Sequence, residues 1–161
     1  MKKVQIRWML AFALASGVPY AQADEALLIQ TVIDKDTSMS DTVRRECALD
    51  TQVGDWVLES VSKKHPGSKK LQPGDSAGNG KVLKVTIVSV IGAGGGAYSG
   101  PKTMAVKAEL MQSGKVIATT RKERSSGGGA FGGMKGTCSI FGRVAKTLGS
   151  DVASWLPSAM K

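Results

Sequence analysis

Lys102-Thr-Met-Ala-Val-Lys-Ala-Glu-Leu-Met-Gln-Ser-Gly-Lys-Val-Ile-Ala-Thr-Thr-Arg-Lys-Glu-Arg124 decides the fold. Met104, Val106, Ala108 and Leu110 alternate with Lys107 and Glu109. That period of two predicts a strand over 102–111 with one face on a core. Gln112-Ser-Gly-Lys115 makes a tight turn, and 116–124 returns as the hairpin partner. A lone hairpin is marginal in water, so further strands and an apolar cover must lie elsewhere in the chain.

Both flanks supply them. Upstream, 81–91 reads as a strand with Leu83, Val85 and Ile87 on one face and Val82, Lys84 and Thr86 on the other. The β-branched run at 26–33 reads as a first strand. Residues 34–41 form a polar loop. Leu49, Val53, Trp56, Val57 and Val61 fall on one helical face, and Pro66-Gly67 stops that helix. The loop at 66–80 is rich in Pro and Gly. Downstream, Ile140, Val144, Leu148, Val152 and Leu156 mark a second amphipathic helix that Pro157 should end. The predicted order is strand, helix, three strands, helix. Two amphipathic helices need one apolar surface, which a single sheet provides. The expected fold is α+β: a two-layer sandwich with a mostly antiparallel four-stranded sheet and two helices on one face.

The first 23 residues read as an address. Lys2, Lys3 and Arg7 precede an apolar run from Trp8 to Val18, and Ala21-Gln-Ala23 ends it as a small-x-small cleavage site. The run is shorter than the ~20 apolar residues that span a bilayer. The mature chain is therefore expected to be one exported domain at 24–161, periplasmic or secreted, without a transmembrane helix. Export removes ATP, NAD and CoA chemistry from the options, and no cofactor is expected. The 22 basic and 13 acidic residues give a net charge of +9, of which Lys2, Lys3 and Arg7 supply three. The remaining excess suits an anionic partner or simple solubility.

An even cysteine count in an exported chain favours one disulfide, Cys47 to Cys138. A metal or redox pair is the rival. The wide separation excludes C-x-x-C, and the only histidine is His65, so a zinc site lacks ligands. If the two helices lie side by side in one direction, the cysteines meet at their N-terminal ends. No metal site is expected; Asp34 and Asp36 hint at a cation but no ligand loop follows them.

Two glycine-rich loops, 92–100 and 127–136, invite a binding reading. The second precedes a helix and carries Lys135 and Thr137, yet Met134 stands where a phosphate-binding loop requires Lys. Nucleotide is therefore not expected, nor is nucleic acid. Anion binding remains open through Lys135 and Arg143, together with Arg121, Lys122 and Arg124 at the end of the hairpin. The rival reading of that hairpin end is protection of an edge strand from other chains. Tyr98 and Phe131 are candidate partner contacts, unless they fold onto the sheet. His65 has no G-x-S-x-G, H-E-x-x-H or paired-carboxylate signature beside it.

The element order across 26–156, the hairpin 106–120 around Ser113-Gly114 and the two cysteines resemble small envelope domains of Gram-negative bacteria. The amino-terminal domain of TolB and the domain of the curli-secretion lipoprotein are the nearest of these. The chain departs from both: it has no lipobox cysteine and no propeller, so their partners do not carry over. The resemblance implies a non-enzymatic module that binds or assembles another envelope component. An anionic-surface binder, for lipid or lipopolysaccharide, is the alternative, and a hydrolase with an unrecognised site is the third reading.

Overall fold

The computed structural model describes residues 27–72, 75, 80–92, 100–127 and 134–161. The export signal at 1–23, Tyr98 and Phe131 lie outside them. The elements are β1 (Leu28–Ile33), α1 (Asp41–Glu46), α2 (Leu49–Ser62), β2 (Lys69–Lys70), β3 (Lys81–Ile91), β4 (Lys102–Gln112), β5 (Lys115–Ser126) and α3 (Thr137–Ala159). They form one sheet in the order β2-β1-β3-β4-β5. α2 lies over β1, α3 lies over β4 and β5, and the two helices pack together.

The α+β class holds, but the sheet and helices correct the expectation of four mostly antiparallel strands and two helices. Among the described residues the sheet has five strands and is mixed. β1 pairs in parallel with β3, Leu28 against Val82 through Ile33 against Ile87. The chain leaves β1, crosses through helices on one face and returns beside it; such a crossover makes neighbouring strands parallel. The extra strand, β2, lies within the loop predicted at 66–80 and pairs in parallel with β1 through Lys69 and Lys70 alone. The third helix, α1, is six residues long. The Ser40 hydroxyl accepts from the Val43 N–H (3.4 Å) at its start, and Val43 anchors it in the core.

The predicted faces are the buried ones. Leu83, Val85 and Ile87 from β3 meet Met104, Val106, Ala108 and Leu110 from β4, all fully buried. A register shift between Ile87 and Ser89 returns Val90 to this side, opposite Met104. Leu49, Val53, Val57 and Val61 of α2 and Ile140, Val144, Leu148, Val152 and Leu156 of α3 close the core.

The helix pair is held at short range by glycine. A Cβ at Gly149 would stand 2.7 Å from the Trp56 carbonyl carbon and oxygen. A Cβ at Gly142 would stand 3.1 Å from Gln52 Oε1. Gly142 facing Gln52 and Gly149 facing Trp56 means that the helices run in the same direction. Their N-terminal ends therefore meet, and there Cys47 and Cys138 are joined, with Cα atoms 5.2 Å apart and a sequence separation of 91. Pro157 does not end α3, which runs on to Ala159. The proline sits in the last turn, where the Met160 N–H still reaches the Leu156 carbonyl (3.1 Å) and the Ser158 hydroxyl donates to Trp155 O (2.6 Å).

Candidate functional site

The long outer edge of the sheet is β5. It is reached through Ser113 (φ 49°) and Gly114 (φ 75°). Two successive left-handed residues suit the tight turn whose twist matches a β-hairpin. β5 extends over 12 residues and pairs only with β4 among the described residues. Among the described residues, the opposite edge is the two-residue β2. One side of the sheet is therefore short, and the other offers a long row of backbone donors and acceptors.

Register assigns every β5 side chain to a face. Ala118, Thr120, Lys122 and Arg124 stand opposite Leu110, Ala108, Val106 and Met104, on the helix side. Thr119, Arg121 and Glu123 stand opposite Glu109, Lys107 and Ala105, on the face that carries no helix among the described residues. The predicted basic run is thus split. Arg124 is engaged with α3: its Nε and Nη2 donate to the two carboxylate oxygens of Asp151 at 2.7 and 3.0 Å. That hydrogen bonding, and then the Asp151 charge, hold the guanidinium above its ordinary value, so Arg124 stays cationic at every working pH. Lys122 is half-buried beside it.

Arg121 is exposed on the open face, directly opposite Lys107. Like charges directly opposite each other across a strand pair oppose the pairing. Lys107 turns to Glu109 on its own strand, Nζ to Oε1 2.6 Å, which leaves Arg121 facing a cation. Near the turn Val116 and Ile117 are about half exposed, at 50% and 49%. Neither the exposed pair nor the Lys107–Arg121 conflict is visible without the register.

The glycine-rich loops meet the sheet at its other end. β3 and β5 are both antiparallel to β4, so Ile91 and Ser126 finish on the same side as Thr103 and Lys102. Lys102 begins β4 fully buried, and its Nζ donates to the Gly100 carbonyl (3.0 Å). Its stem fills the space that a Cβ at Gly92 (φ +143°) would need. Lys135 is half-buried before α3 and Arg143 is exposed on it; both have partners. The five basic candidates therefore do not share one surface.

A separate cleft of about 320 Å³ lies between α2 and the β1–β2 edge, lined by Thr31, Asp50, Gly54, Lys70 and Gln72. The Thr31 hydroxyl is buried there without a partner among the described residues. Lys70 is paired with Asp55 across its rim. His65 is half-buried at the end of α2, and Ser68 Oγ donates to its backbone carbonyl (2.7 Å) rather than to its ring. Asp34 and Asp36 form a turn in which Asp34 Oδ1 accepts the Asp36 N–H (2.9 Å). Among the described residues, no group of three or more His, Cys, Asp or Glu is placed to hold a metal ion, and no helix is long and apolar enough to cross a membrane.

Protein XCC0632 from Xanthomonas campestris, of the DUF330 family, superposes with a TM-score of 0.58 at 13% identity, covering 86% of this chain and 87% of that one. The PelC dodecamer from Paraburkholderia phytofirmans superposes with a TM-score of 0.50 at 11% identity, covering 81% and 87%. The likeness is one of fold. No protein-family model matches the chain, and no curated protein sequence does.

Proposed function

We propose that this chain is an exported, non-enzymatic module that binds another protein of the bacterial envelope through the β5 side of its sheet. One observation carries the reading: a 12-residue edge strand, open among the described residues, with exposed Val116 and Ile117 near one end and exposed Arg121 farther along. The export pattern read at 1–23 supports the envelope as its place of work. Similarity of fold to XCC0632 and PelC is compatible with this role and assigns no partner.

The alternative, a lipid or lipopolysaccharide surface, calls for cations gathered on one plane. Arg121 and Lys122 point to opposite faces, and Arg124 is held by Asp151. This dispersal favours a protein strand over a flat anionic surface.

The test places a photo-crosslinking residue at Arg121, and separately at Glu59 on the exposed side of α2, in the exported protein. A discrete protein adduct from position 121, absent from position 59, supports the reading. Adducts identical at both positions, or salt-sensitive co-sedimentation with lipopolysaccharide vesicles in place of a protein adduct, would overturn it.

A further inference from the structure

We infer that β5 is an acceptor edge for an extended acidic segment of a partner protein, which joins the sheet as a sixth strand. The inference rests on the binding role proposed above and specifies its chemistry.

Three observations converge on that occupant. The first is length. β5 is the longest strand of the sheet and, among the described residues, its outer edge has no strand beside it, whereas the other edge is reduced to two residues. An unpaired strand presents a row of N–H and C=O groups, and a peptide in extended form satisfies them by adding to the sheet. The second is charge. Lys115, Arg121 and Lys122 outnumber Glu123 along the strand, Arg124 being held by Asp151. Arg121 faces Lys107 on its inner side, so a carboxylate on an added strand would sit at direct cross-strand distance on its outer side and relieve that conflict. Lys122, on the opposite face, accepts the next acidic residue of the same segment. The third is the apolar pair near the turn. Val116 and Ile117 offer an apolar contact at one end of the strand, where a purely electrostatic surface has no use for one.

The same cations select against a second copy. Antiparallel pairing of two β5 strands about their basic halves would set Lys122 against itself, Arg121 against Arg124, or Lys122 against Arg124, according to register. Repulsion between like charges discriminates between partners as effectively as attraction does. An edge guarded against its own kind is thereby left open to an acidic strand.

The experiment follows amide hydrogen exchange along β5 in the mature protein. The probe is a capped decapeptide in which pairs of glutamates alternate with pairs of threonines, so that an extended chain carries carboxylates on both faces. In an edge strand every second N–H points outward, and the others are bonded to β4. Strand addition is therefore expected to slow exchange at least tenfold at every second residue of 118–125 and to leave the intervening amides unchanged. A peptide of equal charge with two of its threonines replaced by proline should give no alternating protection, and a lysine-for-glutamate peptide should not bind. Arg121→Glu and, separately, Lys122→Glu should each weaken the acidic peptide at least tenfold; both residues lie outside the hydrophobic core. Equal binding of the proline peptide, or uniform protection without alternation, would show charge attraction alone and overturn strand addition. Alternating protection that grows with protein concentration and without peptide would show a second copy as the occupant and overturn the acidic one. Crosslinking at Arg121 to an envelope protein, combined with absent alternation, would sink this mode while leaving the binding role intact.

Discussion

The helix pair and the β5 edge are held in opposite ways. Between α2 and α3 the backbones approach so closely that Gly149 has no room for a Cβ, and a covalent bond ties their starts. β5 is supported by β4 on one side only among the described residues, with α3 resting on part of one face. Rigidity is therefore concentrated where the two helices meet. Exposed backbone, charge conflict and apolar surface are concentrated on β5. A domain that must present a strand to another chain needs that division, because an edge can exchange partners only if the rest of the sheet does not depend on it.

The largest effect should come from the covalent tie. Closing so long a loop lowers the entropy of the unfolded chain, worth about 4–5 kcal/mol in the chain-entropy model. Cys47→Ala with Cys138→Ala should lose up to that amount in denaturant unfolding, and reductant should then have no further effect on the double variant. A loss below about 1 kcal/mol would place the rigidity in helix packing rather than in the bond. Gly149→Ala comes next. In an open helix that change gains up to about 1 kcal/mol of propensity. Here the new methyl meets the Trp56 backbone, which cannot swing aside as a side chain can, so overpacking of about 1–3 kcal/mol should outweigh the gain. Thermal unfolding of Gly149→Ala should show a lowered midpoint; an unchanged one would mean that the helices separate without cost.

Gly142→Ala tests whether this tightness is local. Its Cβ would meet only the Gln52 amide oxygen, on a flexible side chain that has no hydrogen-bond partner at that atom among the described residues. The amide can shift, so helix propensity should win by a few tenths of a kcal/mol, and at most about 1. A destabilised Gly142→Ala would extend the rigid contact to the N-terminal half of the pair.

What was legible in the sequence follows the same division. The four-residue stripe of α3 and the alternation of Met104, Val106, Ala108 and Leu110 could be read because each repeats a period over several turns or pleats. β2 could not, because two residues carry no period and its pairing with Leu28 and Ile29 is purely tertiary. The parallel setting of β1 escaped because strand direction is decided by the crossover, not by the strand. α1 did have a signal, Ser40 followed by Asp41, but six residues fall below a convincing helical repeat. The burial of Lys102 contradicts its residue type, and the Arg124–Asp151 contact spans 27 residues, so neither follows from local pattern. At the candidate site, period two was sufficient to separate Arg121 from Lys122. The cation opposite Arg121 required the register of the hairpin.

Arg121→Glu has the smallest expected effect on folding and bears most directly on the comparison. Arg121 is exposed, and substitutions at such sites usually change stability by no more than about 0.5 kcal/mol. Reversal would replace a like-charge pair with an opposite one across from Lys107, a gain of a few tenths of a kcal/mol, while setting a second acid beside Glu123 and diagonal to Glu109. These contributions nearly cancel, so the unfolding midpoint should stay the same or rise slightly. If β5 existed only to fold, nothing would be lost. If it exists to be joined, the variant should fold as well as its parent and yet bind the glutamate-containing decapeptide at least tenfold more weakly. A clear loss of stability would mean that Arg121 supports the sheet through a contact on which the hairpin depends, and the edge would then belong with the rigid half of the molecule.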